Sequence, residues 1–196
     1  QADFLDDLLA GNFPTAEAVI TRARRFGYDL TSSYAVLVLS LDKSFPVDFS
    51  PGIADKEVSS LHKEAVALIK KELASRGSGA LCQLKGDTII LLYPVGENVE
   101  PPTLKKLAER VGQTIRSYLK GTVIAIGIGR FYPGLEGLGL AYREAEQALA
   151  MGLRLFGKGN ITYFGALGIY RLLSSMRSTA ELKSFYQETL GRLAEY

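Results

Sequence analysis

The sequence is poor in the residues that most metal and nucleophilic chemistry relies on. It has one cysteine, Cys82, so neither an internal disulfide nor a multi-cysteine metal site can form within the chain. A reducing, cytoplasmic setting is the simple expectation. It has one histidine, His62, which argues against His-rich metal chemistry but leaves catalysis by carboxylates open. No apolar run approaches about 18 residues, so neither a transmembrane helix nor a membrane partner is expected. No charged-then-apolar leader marks a secretory signal. Charge of one sign is also scarce: the formal net charge is +2, and the only clustered cations in a linear reading are Arg22, Arg24 and Arg25. That is not the concentrated basic face of a dedicated nucleic-acid binder. Three arginines on a short helix read first as a solvated face.

What remains is an ordinary globular composition, 47% hydrophobic and 22% charged over 196 residues, enough for a real core. The chain begins with Gln1 rather than Met, which reads as a piece of a longer protein.

Hydrophobic periodicity and turn residues divide the chain into elements. Phe4, Leu5, Leu8 and Leu9 recur at helical spacing over 3–11, and Gly11 is a natural stop. Pro14 and Thr15 open a second helix that Gly27 closes after Phe26. Residues 34–41 form an apolar run that fits a buried strand. Pro46, Pro51 and Gly52 make 43–55 a loop, and Leu61, Ala65, Leu68, Ile69 and Leu73 mark a helix over 57–76. Strands at 80–84 and 88–93 flank the turn Lys85-Gly86-Asp87, a hairpin signal because glycine accepts the positive φ such turns need. A loop over 94–102, a helix over 103–120, a strand over 122–129, a helix over 135–156 and a short strand over 161–164 follow. Ser178 and Glu181 form a capping-box pattern ahead of a last helix with Leu182, Phe185, Tyr186, Leu190 and Leu193 on one face.

From residue 34 the order is the βαββαβ unit of ferredoxin-like α+β domains, with an extra helix and strand after it. Such a unit makes an antiparallel sheet with both of its helices on one face. The chain therefore divides into an N-terminal helical lead-in (1–30), an α+β domain (31–165) and a C-terminal helical segment (166–196). The end helices each show an apolar stripe that either packs on the domain or joins a partner, which motivates an expectation of self-association.

Several residues have a bland and a sharp reading. Gly127, Gly129 and Gly134 precede a helix and invite a phosphate-binding turn, but the spacing is no Walker or Rossmann pattern, and packing glycines are the commoner case. His62 reads as a surface or partly buried helix residue with no catalytic partner spaced near it. Cys82 reads as a small core residue. Phe156, Tyr163, Phe164 and Tyr170 read as core rather than as a ligand cage.

Three segments, taken in order, resemble a known family. Leu84-Lys85-Gly86-Asp87-Thr88-Ile89 sits in the hairpin where diguanylate cyclases carry the GGDEF signature. Ile126-Gly127-Ile128-Gly129 is similar to the strand after the third helix of that fold, and residues 142–149 to its following helix. Residues 4–9, then Arg25-Phe26-Gly27-Tyr28-Asp29-Leu30, resemble the stretch before the degenerate GGDEF-like domain of PucR/CdaR-type (sugar-diacid) transcription regulators. The helix from Leu182 to Tyr196 is similar to the segment leading to their DNA-binding domain.

The resemblance implies a nucleotidyl-cyclase-type fold and supplies a test of activity. Cyclases of this fold hold divalent cations with one carboxylate near the end of the first strand and one from the fourth hairpin position; those positions fall here at Ser40 and Thr88. Neither ionises near neutral pH, and hard cations want carboxylate oxygens. Lys85 stands at the first glycine of the motif. The expectation is a module with no catalytic residues, no metal and no cofactor. Asp42, on the same strand face as Ser40, and Asp87, at the third motif position, leave a vestigial cleft of Ser40, Asp42, Lys85, Gly86, Asp87 and Thr88 that could take a nucleotide or small-molecule effector. The implied role is regulation and self-association in a bacterial transcription factor; the alternatives are a ligand sensor using that cleft, or a residual nucleotidyl cyclase. DNA binding would belong to a C-terminal helix-turn-helix domain outside this chain, so no sequence-selective DNA binding is expected of the chain itself.

Overall fold

The computed structural model describes residues 2–11, 15–25, 30–43, 51–75, 79–168 and 170. They carry helices α1 (Ala2–Ala10) and α2 (Ala16–Arg25), strand β1 (Ser33–Lys43), helix α3 (Pro51–Ser75), strands β2 (Leu81–Lys85) and β3 (Thr88–Val95), helix α4 (Pro101–Tyr118), strand β4 (Thr122–Ile128), helix α5 (Leu138–Phe156) and strand β5 (Ile161–Tyr163). Residues 1–164 form one compact unit and 165–196 a second. The C-terminal helix expected after Ser178 lies outside the described residues. No helix among them is long and apolar enough to cross a membrane.

The sheet order is β2-β3-β1-β4-β5. The first four strands are antiparallel neighbours, as the βαββαβ order predicts, and β5 adds to β4 in parallel. Because side chains alternate along a strand, the sheet buries two distinct cores. Ala35, Leu37, Leu39 and Leu41 of β1 face α3 and α4, meeting Leu61, Ala65 and Ile69 from one helix and Leu104, Leu107 and Ile115 from the other. Tyr34, Val36 and Val38 face the opposite way, onto α5 with α1 and α2. The split unit thus has both its helices on one face, and the lead-in helices join the extra helix on the other.

The apolar stripe of α1 is consumed in that second core. Phe4, Leu5, Leu8 and Leu9 are all buried, each contributing about 1.5–3 kcal/mol. The Arg22–Asp7 ion pair to α2, at 2.8 Å between half-exposed side chains, adds at most about 1 kcal/mol. Apolar burial therefore holds α1 in place, and the ion pair sets its register. Thr15 caps α2 by accepting the Ala18 amide at 3.2 Å.

Several expected boundaries move. β1 runs to Lys43 and α3 begins at Pro51, so both elements reach into the loop expected over 43–55. Proline suits a first helical turn, where its missing N–H has no partner to lose. The same reason starts α4 at Pro101, two residues earlier than expected. β3 continues through Pro94, which pairs only with Tyr34 of β1, since the β2 ladder stops at Leu92. There β3 is an edge, where proline costs no ladder bond. His62, expected at the surface or partly buried, is fully buried, and Phe156 and Tyr170 are exposed rather than core.

Gly127 and Gly129 do not form a phosphate turn. They lie on the β4 face against α5, and a Cβ at either position would drive into a helix backbone carbonyl, that of Ala145 or Ala141. The glycines let the helix backbone rest directly on the strand. Gly129→Ala is therefore expected to lower unfolding free energy by about 2–3 kcal/mol, because a rigid helix backbone cannot rotate away as a side chain could. Urea denaturation reads this out; an unchanged midpoint would show that α5 can shift freely.

Candidate functional site

The expected cleft residues gather at one end of the sheet. Only Gly86 and Asp87 separate β2 from β3. Gly86 has φ +55° and, among the described residues, no non-glycine residue has positive φ, the pattern of a type II′ turn with glycine at its first central position. Lys85 and Thr88 close the hairpin as register partners. The Thr88 hydroxyl donates to the Lys85 carbonyl at 3.0 Å. One strand further, Thr88 stands directly opposite Ser40. Paired residues share a face, so both hydroxyls lie on the α5 side, in line with Val38 and Ile90.

Two charged members of the group, Asp42 and Lys85, are engaged. Asp42 lies two residues beyond Ser40 on the same face and ion-pairs with Lys158, in the turn after α5. Lys85 reaches over α5 and α1: its Nζ is 2.9 Å from Asp6 Oδ1 and 5.1 Å from the centroid of the Tyr142 ring. Tyr142 donates its hydroxyl to Glu146, one helical turn along. Burial, then that bond to Glu146, pushes the Tyr142 hydroxyl above its ordinary range, so it stays a neutral donor. Gly86 and Asp87 are exposed at the tip. The structure therefore brings Ser40 and Thr88 face to face and ties Asp42 and Lys85 to different partners outside the sheet. Two hydroxyls in place of carboxylates make a weak seat for a hard divalent cation. Among the described residues, no three His, Cys, Asp or Glu side chains lie close enough to hold a metal.

A second polar cluster went unread in the sequence. Glu144 of α5 is buried, with its side chain 4% exposed, and its carboxylate takes four hydrogen bonds. The Arg130 amide donates to Oε2 at 3.0 Å, Arg130 Nε to Oε1 at 2.9 Å, and the Tyr132 hydroxyl to Oε1 at 2.8 Å. Arg130 Nη2 completes a forked pair. The guanidinium packs over Tyr132 and Phe164, at 5.7 Å and 5.4 Å from their ring centroids. Burial pushes the Glu144 carboxyl up, but the bonds from Arg130 and Tyr132 outweigh it and hold its pKa below the ordinary value. The same contact raises Arg130. The signal for this cluster was a carboxylate at 144 inside the apolar stripe Leu138, Ala141, Ala145. An acid in that position demands a partner, but Arg130 and Tyr132 stand in a loop whose path no periodicity reports. Cys82 is the buried core residue expected, its thiol pushed up to about 12 by burial.

Residues 10–151 match the model of a family described as the GGDEF-like domain. Among solved structures, the chain is similar to an EAL/GGDEF domain protein from M. capsulatus, at 16% identity and TM-score 0.42, with 70% of this chain and 88% of that one covered. It is also similar to a microbial GGDEF domain described in a novel interaction mode with bis-(3,5)-cyclic di-GMP, at 15% identity and TM-score 0.44, with 81% and 90% covered. No curated protein matches the chain.

Glu144→Gln sets an amide NH2 against the Arg130 donors and is expected to cost about 3 kcal/mol, the lower end for a broken buried pair because Arg130 keeps access to water. A depressed carboxylate stabilises the fold fully above its unfolded pKa and stops doing so as pH falls through the lower folded value. The gap in melting temperature between the two proteins should thus hold down to about pH 4.5 and narrow below it. A gap independent of pH would remove the charge from the account.

Proposed function

Since the chain belongs to the GGDEF-like domain family, we propose that it is a non-catalytic regulatory and self-association module of a bacterial transcription regulator of the PucR/CdaR type. One observation carries the non-catalytic reading: Ser40 and Thr88, the positions where the resemblance to active cyclases calls for metal carboxylates, are register partners on one face. That register supports the residue-by-residue alignment, since the two positions meet in space as the two ligands of one metal would have to. What meets there is a pair of neutral hydroxyls. Lys85, at the first glycine of the motif, supports the reading in a second way. Its ammonium is held by Asp6 and Tyr142, so the hairpin serves as a seat for α1 and α5.

In this role the fold transmits or joins rather than catalyses. Self-association cannot use the stripe of α1, which is buried. Leu155 and Phe156, exposed at the end of α5, offer an apolar alternative. DNA recognition belongs to the parent's helix-turn-helix domain.

The test is incubation of the purified chain with GTP and magnesium or manganese. No cyclic dinucleotide above a protein-free blank is expected. Product that disappears in Asp87→Ala would overturn the non-catalytic reading, because Asp87 is the carboxylate left exposed in the hairpin. Sedimentation of the same sample should show a dimer or larger species that Phe156→Glu dissociates; a monomer throughout would remove self-association from the proposal.

A further inference from the structure

We propose that the outer face of α3 and α4 is a docking surface for an acidic amphipathic helix of a partner protein. The linear sequence conceals this face. Its cations are scattered over two helices far apart in the chain, and only the tertiary structure lays them side by side. Helix α3 presents Lys63, Lys70 and Lys71 to solvent. Helix α4 presents Lys105, Lys106, Arg110 and Arg116, and Lys120 follows in the turn. Among the described side chains of the two helices, Glu64, Glu72 and Glu109 stand against them. Glu64 accepts the Ser60 hydroxyl, and Glu72 is half-buried. In a chain whose formal net charge is only +2, this is a concentration of positive charge on one side.

The seam between the helices is also recessed and apolar. A cavity of about 50 Å³ opens among Ile69, Leu73, Leu107 and Val111, with Glu72 and Arg110 at its edge. A second depression on the same seam lies among Ala67, Leu68 and Leu119, with Glu64 and Lys71 at its edge and the exposed Tyr118 beside it. Along α4, from Leu107 to Tyr118, the two span about 16 Å at about 1.5 Å per residue, the length of three helical turns. Apolar anchors at i, i+3 or i+4 and i+7 on a partner helix match that length, and carboxylates on its flanks match the excess of lysine and arginine on the two helices around the seam. Charge complementarity selects the occupant. A second copy docking through the same face would set these cations against themselves. A nucleic-acid backbone would satisfy the charges but leave the apolar seam without a partner. The inference stands apart from the hairpin reading, because this layer covers the opposite face of the sheet from Ser40 and Thr88.

The test uses the full chain and fluorescence anisotropy. The probe is a labelled synthetic peptide of about 16 residues, with leucines at helical i, i+3, i+7 spacing and glutamates on both flanks. Micromolar binding is expected, weakening as salt is raised. The double variant Lys71→Glu/Arg110→Glu should weaken it at least about tenfold by reversing one cation at each depression. Tyr118→Ala, at a side chain already 67% exposed, should weaken it without disturbing the fold, and Arg24→Glu on α2 should leave it unchanged. No binding at about 100 μM, where specific interfaces are well populated, would overturn the proposal. So would equal binding of a peptide with serine for every leucine, which would reduce the face to an ion exchanger. Tighter binding of a random-sequence DNA duplex would assign the face to nucleic acid instead.

Discussion

Helix α5 lies so close to strand β4 that no side chain fits between them at Gly127 and Gly129. The rest of the molecule is arranged around that approach. Because the helix backbone rests on the strand, Glu144 comes within reach of Arg130 just past the end of β4. One face further round, Tyr142 and Glu146 come within reach of the hairpin. The same helix admits α1 closely, since Gly139 sits where a Cβ would come within 2.7 Å of the Leu9 carbonyl oxygen. Small residues at three points of contact thus decide how the sheet, the hairpin and the lead-in helix meet.

Charges in this fold differ in weight according to how far they leave water. Glu144 is removed from solvent almost entirely and would be costly if unpaired; its bonds from Arg130 and Tyr132 offset that cost and fix the loop after β4. The pairs Lys85–Asp6 and Arg22–Asp7 are half-exposed, and water competes for their ions. They orient α1, whose attachment comes from Phe4, Leu5, Leu8 and Leu9. Ser40 and Thr88 meet as register partners at the same end of the sheet, on the face toward α5.

The candidate site was legible in part. The hairpin could be read because Gly-Asp between two apolar runs has a short-range cause, the positive φ of a two-residue turn. The pairing of Ser40 with Thr88 was not legible, because β1 and β3 are separated in the chain by α3 and β2, so no tight turn dictates their register; only the shared buried face restricts it. The partners of Lys85 and Asp42 were not legible. Asp6 and Lys158 come from distant elements, and a long flexible side chain can satisfy its charge with any carboxylate that packing brings near. The Arg130–Glu144–Tyr132 cluster was missed for the same reason, although an acid inside an apolar stripe was a local warning.

The sequence by itself determined the element types, the α+β class, the sheet order implied by βαββαβ, and the placement of most apolar residues. These follow from periodicities of 2 and 3.6 residues and from turn chemistry, all local in the chain. Pro51 and Pro101 could be misplaced only because proline both ends loops and begins helices. Tertiary structure alone decided the burial of α1, the close seat of α5 on β4, the partners of the buried carboxylate and the joining of separate lysines into one face. Each of these depends on distances between residues remote in sequence, where packing volume and desolvation choose among partners that the chain offers equally. The scarcity of clustered charge in the linear sequence is a statement about neighbours along the chain. It could not show that cations few in any one stretch would be gathered by the fold onto a single side.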